Sequence, residues 1–234
     1  MKVQYGIVRK KGKKRITIHV DQEADVVVTV PFRVTKTQID GFVASHTDWI
    51  VAKQAYIHSL PGPLAPHTYG PGDRHLFFDQ EKILEVVTLP RGIPSSTRIQ
   101  GEELTVSLWK PTPARIKRAI LEFYSGSGQD YYRKAVAKWV VLLGLPEEKY
   151  PVSISMVNYA ARMGCCSKNR ELRFALRSLM LPEPLLDYLA LHETAHLVEF
   201  NHGDGFKKLI ARHMPDWKFR QKEIARLRNR AVRM

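Results

Sequence analysis

Residues 15–20, RITIHV, place apolar side chains at every second position, and 26–31, VVVTVP, is a β-branched run that stops at Pro31. Both patterns predict strands. From 36 to 57 the period lengthens: Ile39, Phe42, Val43, Trp49, Ile50 and Ala52 recur at helical spacing, which predicts one long helix. The Pro/Gly-rich stretch LPGPLAPHTYGPGD (60–73) predicts a loop or internal boundary. Short strands are expected at 74–79, 82–89 and 103–109. Two helices follow at about 113–124 and 129–143, separated by the SGSG of 125–128, which a helix interior disfavours. PVSISMV (151–157) and ELRFALR (171–177) read as strands. Helices are expected at 184–200, about 204–213 and about 216–232. No internal repeat or low-complexity tract is evident.

Composition bounds the reading. At 234 residues, 44% of them apolar, the chain can bury a sizeable core in one large domain or two small ones. No run approaches bilayer-spanning length and the basic start lacks an apolar segment behind it, so a soluble, cytoplasmic protein with no membrane partner is expected. The net charge of +14 is concentrated at the ends: +7 over residues 1–15, +6 over 217–234 and +1 between. Such ends can draw nucleic acid by a sequence-independent route, or can simply be solvated faces. Cys165 and Cys166 are adjacent, a spacing that suits neither a disulfide nor a structural zinc knuckle, and reduced thiols are expected.

The chemistry gathers in LALHETAHLVEFNHGDGF, residues 189–206. On a helix, residues four apart differ by about 40° in azimuth and about 6 Å in height, so His192 and His196 share a face and can reach one zinc ion. Glu193 stands beside that face, placed to take a proton from water on the metal. His202 is the natural third ligand, but six residues on it would point about 240° round the axis. The helix must therefore end between His196 and His202, and Asn201 and Gly203 are the residues that tolerate a left-handed terminus. Glu199, Asp204 and Glu223 are weaker ligand candidates, with Glu199 also a candidate support for a ligand. His46, His58, His67 and His75 show no such arrangement and read as ordinary histidines, while His213 falls near the motif on the next helix. The 192/196/202 spacing equals that of metzincin proteases, yet Glu199 stands where they use Gly and no Met-turn is evident.

The sequence resembles the YgjP-like family of metallohydrolases, relatives of the SprT-like minigluzincin peptidases. KKRITIHVDQEADVVVTVP resembles that family's opening hairpin, IDGFVASHTDWIVAKQ its first helix, and ARMGCCSKNRELRFALRSLMLPEPLLDYLALHETAHLVEFNHGDGFKKLIARHMPDW its core. The resemblance implies His192, His196 and His202 as ligands of zinc or another divalent metal and Glu193 as the catalytic glutamate. Arg162, Gly164, Cys166 and Ser167 match the motif before the active helix and are candidate substrate contacts. Met163 and Cys165 depart from it, standing where Trp and Ser are usual. By analogy with zincins, ELRFALR is expected as an edge strand that binds peptide by strand addition.

The implied fold is α+β: a β-rich N-terminal region with one long helix (1–110), then a zincin-like region carrying the HExxH helix (111–234), the two possibly continuous as one domain. The leading function is a zinc-dependent metallopeptidase acting on a peptide. Two alternatives stay open: a nucleoside triphosphate pyrophosphohydrolase on the same scaffold, and a nucleic-acid-binding protein whose metal is structural, closed by Cys165 or Cys166.

Overall fold

Val26, Val28 and Val30 alternate inward along one strand and bury almost completely, and this side-chain period of two organises the N-terminal part of the protein. The structure is a computed structural model that describes residues 3–21, 24–59, 67–159 and 162–227. The chain forms two compact units, Met1–Gly62 and Pro63–Met234. In the first, β3 (Val26–Val30) is central, parallel to β1 (Gly6–Arg9) and antiparallel to β2 (Thr17–Val20). Its valines share a core with Ile39 and Val43 of α1 (Lys36–Ala44) and Ile50 of α2 (Thr47–His58). The β2–β3 hairpin was expected; β1 was not.

The single helix expected over 36–57 is two. Ser45 Oγ donates to the Phe42 carbonyl at 2.9 Å and His46 Nδ1 lies 2.8 Å from the same oxygen, the acceptor a continuous helix would offer to the His46 amide. That amide instead donates to Val43 O at 3.0 Å, so side chains that bond backward end the helix there.

In the second unit, β4 (Arg74–Phe77), β5 (Gln80–Thr88), β7 (Glu103–Leu108) and β6 (Ser96–Gln100) lie in that order, with β5 and β7 parallel. β6, STRIQ, is too polar for its alternation to stand out. A three-stranded sheet follows, in the order β8 (Ser153–Val157), β10 (Glu171–Ala175), β9 (Gly164–Cys166). Helices α4 (Glu183–Ala195), α5 (Asp204–His213) and α6 (Trp217–Leu227) complete the unit. The last residues of the helix expected to 232 lie outside the described residues. The architecture is α+β, and among the described residues no helix is long and apolar enough to cross a membrane.

SGSG does not break the chain's longest helix, contrary to expectation. α3 runs unbroken from Pro113 to Leu142, capped by Thr112, whose hydroxyl accepts from Arg115 N. Its buried stripe passes through Ile116, Ile120, Tyr124, Gly128, Tyr132 and Trp139, so Gly128 takes its turn at a core position. A Cβ there would lie 2.6 Å from Met156 Cε and 3.1 Å from Leu179 Cδ1, and the missing side chain lets the helix sit close on β8. Gly126, exposed, has no such neighbour. The two glycines should therefore respond oppositely in urea denaturation. Gly126→Ala raises stability by about 0.5–1 kcal/mol through helix propensity, whereas Gly128→Val lowers it by about 1–3 kcal/mol through overpacking.

Tyrosines on α3 fasten it to both sheets. Tyr124 OH donates to Leu76 O at 2.5 Å, and Tyr132 OH donates to Ser178 Oγ at 2.8 Å while its ring stacks on Phe174 at 3.7 Å. One apolar core runs through the unit, from Leu76 and Leu104 to Leu186, Leu191 and Ile210.

Candidate metal centre and active site

α4 presents most of its length to the core: Leu185, Leu186, Tyr188, Leu189, Ala190 and Leu191 are buried. The polar residues HExxH places on this apolar helix are therefore held in fixed positions. The helix ends at Ala195, five residues earlier than expected, and it ends by tightening. Leu197 N donates to Thr194 O and Val198 N to Ala195 O, each at 3.0 Å, and these short-range bonds take up carbonyls that the next turn would have used. No left-handed residue is involved: neither Asn201 nor Gly203 has positive φ, and Gly203 (φ −70°, ψ −169°) instead precedes the first turn of α5.

The reversal returns His202 to the helix face. His202 Nε2 lies 3.0 Å from His192 Nε2, and one ligand atom from each of His192, His196 and His202 lies within 4.8 Å of the others. Two ligands of one tetrahedral zinc would stand about 3.3 Å apart. Beneath them is Phe206 of α5, its ring 4.6 Å from His196, 4.8 Å from His202 and 5.0 Å from His192. Phe206 went unremarked in the sequence, although Phe206, Leu209 and Ile210 recur at helical spacing.

The ring nitrogens not needed for metal already have neighbours. His196 Nδ1 is 3.1 Å from Glu199 O, and His192 Nδ1 is 3.4 Å from Tyr188 OH. These contacts leave both Nε2 atoms to the centre and orient the rings. Burial, reinforced by the neighbouring His196 and His202, pushes His192 down to about 3, and burial also lowers His196. Both imidazoles are thus neutral at ordinary pH, the form that ligates a metal. Three imidazoles converging on an apolar pad fit a divalent metal of zinc type.

Glu193 is 5% exposed. Burial pushes its carboxyl up to about 8, with the charge of Arg162 pulling the other way. Directly beside it runs β9: a Cβ on Gly164 would lie 2.6 Å from Glu193 Oε1 and 2.9 Å from its Cγ. Gly164 is thus the clearance that lets the strand cross the glutamate. The other motif residues divide by role. Arg162 and Gly164 line a cleft with Tyr188, His192, Glu193 and His202, and the Arg162 guanidinium also lies 5.4 Å from the Tyr159 ring. The Cys166 thiol is pushed up to about 11, first by burial and then by the charge of Glu193. Ser167 closes the β9–β10 turn, its amide donating to Glu171 O at 2.9 Å and its hydroxyl accepting from Glu171 N at 3.1 Å.

The weaker candidates lie apart from the three histidines. Asp204 pairs with Lys207, Glu223 with Arg226, and the Glu199 carboxylate packs against Gly205. His213 lies edge-on to Trp139. Among the described residues neither cysteine joins the histidine cluster, so a fourth sulfur ligand is not in place. ELRFALR is corrected from edge to centre: β10 lies between β8 and β9, so peptide cannot add to it. His67 and His75 are corrected too, since they gather with Asp73 in a second cluster.

Imidazoles one turn apart, a third returned by a chain reversal, and a buried carboxyl beside them define a metallopeptidase-like domain of the metal-dependent hydrolase class. The family model described as YgjP-like, metallopeptidase domain, matches residues 14–227, and the chain belongs to that family. No curated protein matches the chain.

Proposed function

We propose that the protein is a zinc-dependent metallopeptidase in which Glu193 is the general base. The observation that carries the reading is Glu193 itself, a buried carboxyl beside three convergent histidines and within reach of an open strand edge. His192, His196 and His202 would hold the metal, which supplies Lewis acidity to a substrate carbonyl and to water. Glu193 accepts a proton on its carboxylate from the attacking water and returns it to the departing amine, two tasks suited to a pKa near neutrality. Arg162 favours the ionised carboxylate, and Tyr188, whose own proton burial holds up to about 12, keeps His192 in position.

Substrate binding moves from β10 to β9. Ala175 N donates to Met163 O and Ser167 N to Glu171 O, so alternate residues of this strand face β10. The backbone groups of Gly164 and Cys166 therefore face the free edge, where an extended peptide would pair and pass over Glu193. The phosphoanhydride alternative has less support. Among the described residues lining the cleft, Arg162 is the one cation, beside apolar Met163, Leu189, Ile224 and Ala225, whereas a triphosphate calls for several cations.

The test offers unfolded polypeptide and nucleoside triphosphates side by side to the zinc-loaded full chain. Peptide cleavage that stops on chelation is expected; phosphate or pyrophosphate release without cleavage would replace the reading by nucleotide hydrolysis. His196→Ala should weaken zinc binding by more than about 100-fold, measured against a competing chelator, because it removes a ligand. Undiminished affinity would remove His196 from the centre.

A further inference from the structure

Beside β4 lies a second group of metal-ligating side chains that the hydrolase reading does not use. His67, Asp73 and His75 each offer a ligand atom, and these atoms lie within 4.8 Å of one another. His75 is 1% exposed. Among the described residues both of its ring nitrogens, and Nε2 of His67, are buried without a hydrogen-bond partner. That is an unusual way to leave an imidazole, since a neutral ring always carries one donor and one acceptor, and buried polar atoms are nearly always paired. The two rings stack at 4.0 Å with 10° between their planes, so neither relieves the other.

The backbone brings these residues together. Tyr69 (φ +58°) and Gly72 (φ +86°) both take the left-handed conformation and fold the chain back, setting His67 against the start of the strand. The turn is pinned by Asp73, whose Oδ1 accepts from Thr68 Oγ1 at 2.9 Å and whose Oδ2 accepts from the Tyr69 amide at 2.6 Å. Each carboxylate oxygen keeps a free lone pair. His75 sits on β4 opposite Lys82 of β5, next to the buried Leu76.

We propose that His67, Asp73 and His75 form a second divalent-metal site, of zinc type, that clips the 67–73 turn to β4. Two imidazoles and one carboxylate are a donor set suited to zinc, with a position left for water. Binding satisfies His67 Nε2 and one His75 nitrogen together. Burial lowers both histidines, His75 to about 4, so both are neutral and ready to ligate. The charge of Lys117 faces His67 and opposes a cation, and the Asp73 carboxylate offsets it. With the cluster's one carboxylate among the ligands, the role is structural.

The experiment counts zinc on the full-length chain by native mass spectrometry after chelation and reloading with zinc alone, with far-UV circular dichroism confirming the fold. The His192→Ala/His196→Ala protein, stripped of the first centre, should still hold one zinc per chain and melt at a higher temperature with zinc than without. Adding His67→Ala, a half-buried position outside the strands, should abolish that zinc. Asp73→Asn, which can keep the turn bonds, should weaken it at least 10-fold and serves if His67→Ala does not fold. A folded double variant that holds no zinc overturns the site, as does a retained zinc that neither further substitution disturbs.

Discussion

Glu193→Gln should lower the turnover number for peptide by about 10²–10⁴-fold, the usual contribution of a positioned general base, while leaving zinc content unchanged. The amide fills the same volume, so packing against Gly164 survives, but it cannot accept the proton of the attacking water. Its pH dependence separates this role from a structural one. A base works only when ionised, so activity of the native protein should climb as pH rises through the glutamate's pKa, and the residual activity of the variant should lack that limb. Burial sets the metal-free value at about 8; a bound dication beside the carboxyl lowers it, so the limb lies below pH 8 in the zinc-loaded protein.

The same residue makes a stability prediction whose sign can be fixed. Its folded pKa, about 8, lies above the ordinary 4.5, so between those values the unfolded chain has released a proton that the folded chain retains. The metal-free protein should therefore lose stability as pH rises from about 4.5 to about 8. Urea midpoints at pH 5 and pH 8 should show a smaller loss for the Gln variant than for the native protein. An equal loss would mean that Glu193 is already ionised at pH 5.

Gly164→Ala should be nearly as damaging. The added methyl meets Oε1 of Glu193 at 2.6 Å, Cγ at 2.9 Å and Cδ at 3.0 Å, and the glutamate is too closely buried to swing aside freely. Either β9 or the carboxyl must move by a large fraction of an ångström, and displacement of about 1 Å can cost about 10²-fold in rate. The loss should fall on kcat with zinc content intact. Unaltered kcat would mean that the strand yields without disturbing the base.

How far the chain could be read depended on whether local spacing determined the contact. His192, Glu193 and His196 lie within one and a half turns of a helix, and helical geometry alone predicts the shared face. His202 followed from the need for a third ligand, though the helix ends by tightened bonds rather than through Asn201 or Gly203. ELRFALR reads as a strand, but edge or centre depends on the partners of β10, and three-residue β9 is too short to show a period. SGSG looked like a break because propensity is local; Gly128 is helical because Met156 and Leu179 need the room. His67 and His75 looked unrelated because the turn that joins them depends on a left-handed tyrosine, a conformation its side chain does not advertise.

α3 gives the unit a mechanical property. Thirty residues make a rod of about 45 Å, whose buried face reaches Leu76 through Tyr124 in its first half and Ser178 through Tyr132 in its second. The four-stranded sheet and the sheet that faces Glu193 hold opposite halves of one rigid element, so neither can loosen without freeing part of the other's support. Amide protons of β7 and β10 should consequently exchange with solvent through the same opening event, at the same free energy, and a blow to the distant sheet should be felt as a wavering of Glu193.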